Sequence, residues 1–218
     1  MKIELMGHSC FVLLAGDGTR IVTDPYKPGC FDNSLRYGPI AIQADAVTSS
    51  HDHDDHNAMT QVGGSPVVLR KPGKVQVKGA TITGFETFHD HHGGTKRGKN
   101  VVFVFETDGL RVAHLGDLGH PLDKTRVDLI QTVDAVLAPV GGHFTIDGRE
   151  AIEVAKALGA RVIIPMHVKT EKVDFPIAPV TDFEKIAPSP KRIGSTAVLL
   201  EKSSLPATLE TWILDHLR

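Results

Sequence analysis

The segment that most constrains the fold is a run of six metal-ligand side chains, His51-Asp52-His53-Asp54-Asp55-His56, directly after a short apolar stretch. A helix cannot carry this run, because residues two apart on a helix point to different sides. A tight loop after a strand can direct His51 and His53 to one point and Asp55 and His56 to a neighbouring point. Zinc, iron and manganese accept imidazole and carboxylate ligands, so the run predicts a metal-binding loop.

The apolar pattern predicts many short strands and few helices. Residues 2–6, 10–15 and 19–23 form an opening series of strands, and 135–139 and 162–165 are apolar enough to be buried strands. The clearest helix covers 147–158, with Asp147 and Glu150 spaced as a capping box. Residues 197–200 are expected to form the last inner strand, and 209–214 a strand or short helix. Two sheets between helices, an α/β (α+β) fold in one domain over residues 1–218, fit this order.

Composition excludes several functional classes. The net charge of −2 gives no basic excess for nucleic acid, and no apolar run approaches the length that crosses a membrane. Cys10 and Cys30 are too few for a disulfide framework and are expected to be free thiols in a reducing compartment. The charged N-terminus lacks the apolar core of a signal peptide, so we expect a cytoplasmic protein.

The order His51, His53, Asp55, His56 resembles the signature of the metallo-β-lactamase superfamily. That resemblance implies a four-layer αββα sandwich and further site residues at the ends of other strands. These are Asp24, which would brace the histidine loop, and the metal ligands His89, Asp117 and His167. The segments 7–9, 116–119 and 139–147 are similar to a small branch that includes ascorbate-6-phosphate lactonase-like and uncharacterised hydrolases.

The ligand chemistry agrees with a centre for two divalent cations. Site one would hold His51, His53 and His89. Site two would hold Asp55, His56 and His167, and Asp117 would bridge the two. Two cations about 3.5–4 Å apart convert a bridging water into hydroxide near neutral pH and stabilise the oxyanion that forms on attack. The ligand set suits zinc, with manganese and iron as alternatives.

Other histidines near these strand ends have candidate roles. His91 and His92 are alternatives to His89 as ligand, or part of a substrate-binding rim. His120 and His143 are candidate proton donors beside the catalytic ligand Asp55. Two further residues complete the candidate set: Gly142, with His143, in substrate binding, and His8, with Asp24, in orienting the ligands. Asp52 and Asp54 are expected to be solvated or to hydrogen-bond the ligands.

The favoured function is therefore hydrolysis of a small ester, lactone or phosphoester by a metal-bridging hydroxide. A nuclease or cyclic-nucleotide phosphodiesterase on the same fold is one alternative, and a non-catalytic metal-binding protein is another. The expected partner is a small-molecule substrate, without membrane or nucleic acid. Exposed sheet edges leave a homo-oligomer open.

Overall fold

Two β-sheets pack face to face in the computed structural model, which describes residues 1–217. The strands of the first sheet are β1 (Lys2–Gly7), β2 (Cys10–Leu14), β3 (Arg20–Thr23), β4 (Gln43–Thr48), β5 (Gly63–Leu69) and β13 (Ala197–Leu199). The strands of the second are β6 (Gly73–Val77), β7 (Ala80–Phe88), β8 (Lys99–Thr107), β9 (Leu110–His114), β10 (Ala135–Pro139), β11 (Val162–Met166), β12 (Pro190–Arg192) and β14 (Glu210–Ile213). Their orders are β13-β1-β2-β3-β4-β5 and β12-β14-β11-β10-β9-β8-β7-β6.

Helices are short and few. They are α1 (Cys30–Asn33), α2 (Lys124–Ile130), α3 (Gly148–Ala157) and α4 (Val180–Glu184), with 3-10 turns at Met59–Gln61 and Lys202–Ser204. The capping box predicted for α3 is confirmed: Asp147 accepts from the backbone N–H of Glu150, whose carboxylate accepts from the Asp147 N–H. None of the helices within residues 1–217 has the length and apolar character that crossing a bilayer needs.

The main core lies between the sheets. Large apolar side chains from both inner faces meet there, among them Phe11, Leu13, Phe103, Phe105 and Ile164. A second core lies between the outer face of the second sheet and helices α2 and α3. Strands β10 and β11 are buried on both faces, which explains their continuous apolar sequences. The predicted α/β sandwich of two sheets with helices is confirmed.

The outer face of the first sheet is covered mostly by irregular chain. Residues 26–40 lie across it and bury Tyr26, Leu35 and Tyr37, and Phe175 joins them from a later loop. Prolines and glycines in this segment oppose a long helix. The helical layer implied on this side is therefore reduced to α1, and loop replaces most of it.

Of the two expectations for the C-terminal strands, the one for 197–200 is wrong, whereas 209–214 contains the strand β14, one of the two states expected for it. The run 197–200 forms β13, which pairs only with β1 and lies at the edge of the first sheet, with Leu199 58% exposed. The inner strand is β14, between β12 and β11, where Thr211 is fully buried. An apolar run of three or four residues does not distinguish an edge strand from a central one, because pairing depends on the partner strands.

Strand direction brings six strand ends to one edge of the sandwich. In the second sheet β7, β9 and β11 run the same way, because β8 is antiparallel to β7 and β9 while β9, β10 and β11 are parallel. In the first sheet β1, β3 and β4 share a direction for the same reason. The segments that follow these strands therefore meet.

Candidate metal centre

Polar residues that follow these six strands converge between the two sheets. They are His8 after β1, Asp24 after β3, residues 51–56 after β4, His89 after β7, Asp117 after β9 and His167 after β11. The hydrogen bond from the Val101 N–H to the Ser50 carbonyl (2.9 Å) ties the histidine loop to the second sheet. A bond of 3.2 Å from the His167 N–H to the His8 carbonyl joins the sheets on the other side.

Site one has the composition predicted from the sequence. Each of His51, His53 and His89 offers a ring nitrogen, and the three nitrogens lie within 4.8 Å of one another. The His51 ring centroid is 4.5 Å from that of His53 and 4.7 Å from that of His89. His53 is exposed on the cavity side, whereas His89 is buried.

Site two contains one more residue than predicted. Asp55, His56 and His167 are joined by His8, with one ligand atom of each within 4.8 Å of the others. His8 Nε2 lies 3.1 Å from Asp55 Oδ2, and its ring centroid is 4.3 Å from that of His167. All four residues are buried.

Asp117 lies between the two sites. Its Oδ2 is 3.2 Å from His89 Nε2 and 3.8 Å from His51 Nε2 on the site-one side. On the site-two side, Oδ2 is 3.3 Å from His167 Nε2, and Oδ1 is 3.3 Å from His56 Nε2. One carboxylate thus faces imidazoles of both sites.

Hydrogen bonds fix the orientation of two imidazoles. His56 Nδ1 lies 2.8 Å from Asp24 Oδ2, and His51 Nδ1 lies 2.9 Å from Ser50 Oγ. Asp24 is itself held by the Ser50 N–H (2.8 Å) and hydroxyl (2.5 Å). The Nε2 atoms of His51 and His56 and Oδ1 of Asp117 are buried without a hydrogen-bond partner among residues 1–217. Orientation through Nδ1 leaves Nε2 free to bind a metal.

The Asp117 loop depends on Asn100 and two glycines. Asn100 Oδ1 accepts from the Asp117 N–H (2.9 Å), while its amide donates to the Leu115 carbonyl (2.9 Å). A Cβ on Gly116 would lie 2.4 Å from the Asn100 amide oxygen, and one on Gly119 would lie 2.2 Å from the His89 carbonyl carbon. Neither space admits a side chain, so both glycines let the loop approach its neighbours.

The buried carboxylates are strongly stabilised in their charged form. Burial alone would raise the pKa of Asp117, but the adjacent His167 and His56 hold it well below the usual value. Burial likewise opposes ionisation of Asp55, but the adjacent His56, together with the hydrogen bond from His8, outweighs it, so the pKa of Asp55 is also well below its usual value. Both side chains are therefore anionic at neutral pH.

The imidazoles of His51 and His8 are neutral. Burial lowers the pKa of His51 to about 3, with His56 adding to the effect, and lowers that of His8 to about 4, with His167 adding to it. A neutral imidazole retains the lone pair that metal binding requires. These two neutral imidazoles thus lie among the anionic carboxylates of Asp55 and Asp117.

The balance of charge also fits bound cations. Within residues 1–217, the ion-pair contacts of Asp24, Asp55 and Asp117 are all with histidines and none with Lys or Arg. Buried carboxylates without compensating positive charge are strongly unfavourable, and metal ions supply that charge. The orphaned donor atoms and the charge together show that these residues fit a metal centre.

Several site residues have a left-handed backbone. His8, Asp24 and His167 have φ of 54°, 40° and 53°. Such a conformation costs a non-glycine residue of the order of 1 kcal/mol and persists where the surroundings over-determine it. Here each residue turns the chain sharply at a strand end and directs its side chain into the site.

Other predicted site residues lie elsewhere. His91 and His92 are exposed, and His91 Nε2 faces Glu150 (3.7 Å), so the structure brings His89 and not these two to Asp117. Asp52 and Asp54 are exposed and pair with Arg70 and Lys27.

In the described part of the chain, neither of the two candidate proton donors lines the cavity that opens over the ligands. Both ring nitrogens of His120 are used by backbone: Nε2 accepts from the Phe88 N–H (3.2 Å), and Nδ1 faces the Pro121 carbonyl (2.7 Å). His143 is exposed, and the ring that lines the cavity beside it is that of Phe144. Gly142 is buried in a turn with φ of 65°.

Comparisons with known proteins point to one family. The profile of the beta-lactamase superfamily domain matches residues 2–167. UPF0173 metal-dependent hydrolases are similar in sequence: that of Methanospirillum hungatei is 29% identical, with 78% of this chain and 84% of the relative covered, and that of Methanoculleus marisnigri is 30% identical, with 78% and 82% covered.

Solved structures share the architecture. A Thermotoga maritima protein assigned as a Zn-dependent hydrolase of the metallo-beta-lactamase superfamily is 41% identical, covers 99% of each chain and superposes with a TM-score of 0.81. An isothiocyanate hydrolase from Delia radicum gut bacteria is 17% identical, covers 85% of this chain and 91% of that one, has a TM-score of 0.68, and shares the fold alone.

Proposed function

The chain belongs to the beta-lactamase superfamily and is a metal-dependent hydrolase, and from that premise we propose that it works with two divalent cations on a small ester, lactone or phosphoester. The family resemblance inferred from residues 51–56 is confirmed, as is the sandwich fold. The number of cations and the substrate class extend beyond these findings. We also propose that residues 1–218 form a single domain, as expected from the sequence.

The position of Asp117 carries the proposal for two cations. Its carboxylate faces His89 at 3.2 Å on one side and His56 at 3.3 Å on the other. An acid between two clusters of imidazoles is suited to share its oxygens between two cations. We assign His51, His53 and His89 to site one and Asp55, His56 and His167 to site two, with Asp117 common to both.

Bound divalent cations supply Lewis acidity, which lowers the pKa of water and polarises the carbonyl or phosphoryl group of a substrate. The protein holds the ligands for that chemistry. Asp24 fixes the tautomer of His56 through Nδ1, and the Ser50 hydroxyl does the same for His51. His8 hydrogen-bonds the Asp55 carboxylate (3.1 Å) and so positions it. Zinc is the first candidate metal, supported by the assignment of the Thermotoga maritima relative.

Metal analysis combined with a hydrolysis panel tests this function. The protein is stripped with a chelator, reloaded with zinc, manganese or iron, and analysed for metal per chain. Initial rates are then measured on aryl esters, lactones, phosphodiesters, cyclic nucleotides and RNA. We expect two equivalents of metal and ester hydrolysis that depends on them.

Asp117→Asn and Asp52→Asn form a matched pair, since one lies between the sites and the other is exposed and pairs with Arg70. We expect the first to lose metal and at least about 100-fold in kcat/KM, about 2.7 kcal/mol, and the second to resemble the wild type. Fully loaded wild-type protein that hydrolyses nothing on the panel would contradict the hydrolase proposal. Activity confined to cyclic nucleotides or RNA would favour the nuclease or phosphodiesterase alternative.

A further inference from the structure

A cavity of about 470 Å³ opens over the metal centre and combines two further kinds of surface. Its floor includes His53, His89 and Asp117, and its sides carry aromatic and basic side chains. The volume is in the range of sites for small molecules, which are typically apolar with a few polar groups that fix orientation. The aromatic and basic side chains on its sides therefore indicate which chemical groups a bound substrate carries.

One side is a continuous aromatic wall of Phe31, Phe144 and Phe175. The Phe175 ring centroid lies 5.7 Å from that of Phe31 and 6.4 Å from that of Phe144, with interplanar angles of 73° and 87°. Phe175 also packs edge-on against His8, at 5.7 Å between centroids. The wall thus reaches from the cavity mouth to the residues of site two, and its ring faces can pack against a flat apolar group.

Phe31 is held at the mouth by an unusual backbone. It is 48% exposed, so about half of the side chain faces solvent. Phe31, Asp32 and Asn33 have φ of 50°, 53° and 63°, three consecutive non-glycine residues in the left-handed region. L-residues seldom adopt this conformation in succession. The chain therefore keeps an exposed aromatic ring at the entrance in spite of unfavourable backbone geometry.

The basic surface comprises Lys96 and Arg97, which line the same cavity. Neither forms an ion pair within residues 1–217. The Arg97 guanidinium lies 5.5 Å from the centre of the Phe144 ring, so the basic surface adjoins the aromatic wall. Asp174 lines the cavity in addition to Asp55 and Asp117, and it faces Lys169 at 3.6 Å.

A buried carboxylate fixes the loop that carries these two cations. Asp90 Oδ2 accepts from the backbone N–H groups of Lys96 (2.9 Å) and Arg97 (2.8 Å). Its Oδ1 accepts from those of His92 (2.7 Å) and Gly94 (3.0 Å). Four backbone bonds to one side chain give residues 90–97 a defined shape next to His89. The cations are therefore presented by an ordered loop.

We propose that the cavity selects substrates that carry a flat apolar group and an anionic group, a carboxylate or phosphate, beside the bond to be hydrolysed. The aromatic wall packs against the flat group, and Lys96 and Arg97 bind the anion. This inference rests on the proposed hydrolase function and names its substrate class. It adds a specificity role to five residues that bind no metal.

Kinetics on matched esters test the anion contact. The substrates are 4-acetoxybenzoate, 4-acetoxyphenyl phosphate and the neutral 4-acetoxybenzamide, with zinc-loaded protein. The Lys96→Ala/Arg97→Ala double variant is compared with Lys99→Ala, which removes a nearby cation that pairs with Glu86. We expect the double variant to lose about 10- to 50-fold in kcat/KM on the anionic esters and less than about twofold on the amide. Lys99→Ala should resemble the wild type on all three.

Comparing kcat/KM on 4-acetoxybenzoate with kcat/KM on 4-acetoxyphenyl phosphate shows whether the site prefers a carboxylate or a phosphate. Phe31→Ala tests the aromatic wall, with Leu129→Ala as a control at another exposed apolar residue, 61% exposed on α2. Phe31→Ala should lower kcat/KM several-fold on the aryl esters and leave 4-acetoxycyclohexanecarboxylate unchanged. The proposed substrate class is wrong if the wild type is active and both Phe31→Ala and the double variant keep its ratios of kcat/KM between anionic and neutral esters and between aryl and cyclohexyl esters. That result would not affect the hydrolase function.

Binding gives a readout that does not require turnover. Calorimetric titration with 2-naphthoate and the neutral 2-naphthamide compares the wild type with the double variant at equal metal content. We expect naphthoate to bind the wild type more tightly, and the double variant to lose that preference. Equal naphthoate affinity in both proteins would mean that its carboxylate contacts the metal centre alone, and would overturn the role of Lys96 and Arg97. Selective binding without hydrolysis of any ester would support the cavity assignment and contradict the hydrolase function.

Discussion

Asp24→Asn tests the contribution of ligand orientation, because Asp24 is not itself a proposed ligand but hydrogen-bonds the proposed ligand His56. In the native structure, its Oδ2 faces His56 Nδ1 at 2.8 Å, and its Oδ1 accepts from the Ser50 N–H at 2.8 Å. An asparagine can keep the bond from Ser50 and then presents an NH₂ group to His56. That donor favours the tautomer with the proton on Nε2, the atom that faces Asp117.

The expected loss follows from this tautomer change. Removing a group that orients a metal-bound histidine typically lowers metal affinity about 10- to 100-fold, or about 1.4–2.8 kcal/mol. The substitution also weakens the charge-assisted hydrogen bonds of a buried carboxylate, which should lower the free energy of unfolding by about 1–3 kcal/mol. Asp24→Asn should therefore bind metal more weakly and unfold more easily, with the ligand side chains unchanged.

Competition with a chromophoric chelator measures the affinity, and urea unfolding of the metal-free proteins measures the stability. Asp54→Asn serves as the control, since Asp54 is exposed and pairs with Lys27. If Asp24→Asn retains wild-type affinity, then Asp24 does not set the tautomer of His56, and the reasoning from its hydrogen bonds is refuted.

Three further outcomes follow from the structure. Metal removal by a chelator should lower the thermal midpoint, because saturation at 100 times the Kd adds about 2.7 kcal/mol to stability; an unchanged midpoint in calorimetry would contradict the charge argument. Gly119→Ala should destabilise the fold by about 1–3 kcal/mol in urea, because its Cβ would meet the His89 carbonyl carbon at 2.2 Å, whereas Gly38→Ala, with nothing within 4 Å, should be neutral. His8→Leu should weaken binding at site two by about tenfold in chelator competition, because Asp55 loses its 3.1 Å hydrogen bond; equal affinity would remove His8 from the positioning of that ligand.

Much of the site could be predicted because its ligands follow strands directly. Residues 51–56 carry their own spacing signal, and His89 and His167 come immediately after apolar runs. The resemblance of residues 51–56 to the superfamily signature implies that these later residues belong to the same site, and parallel strands do place them at one edge. The choice of His89 over His91 and His92 agrees with its 3.2 Å approach to Asp117.

Other features depend on tertiary approach and leave no local signal. Ser50 and Asn100 orient His51 and the Asp117 loop only because two sheets meet there. His8 lies 47 residues before Asp55, in a turn whose sequence does not show that it faces site two. The candidate donors His120 and His143 follow glycine-containing loops expected on the metal side, and that position does not show which way a ring points. The cytoplasmic location and a homo-oligomer stay predictions.

The aromatic wall is a second feature that the sequence could not predict. Phe31 lies in α1, and Phe144 and Phe175 lie in two later loops, so no periodic sequence pattern relates the three. Their rings meet because the loop over the first sheet, the segment before α3 and the segment before α4 end beside the same cavity. The positions of strand ends are therefore more predictable than the loops that surround them.

The central claim is that two cations share Asp117, and anomalous diffraction from metal-loaded crystals tests it most directly. Data collected above and below the zinc edge locate each ion independently of the protein model. We expect two anomalous peaks. One should be contacted by His51, His53 and His89, and the other by Asp55, His56 and His167. The Asp117 carboxylate should contact both. A single peak at full metal loading, or two peaks with Asp117 bound to neither, would contradict this claim.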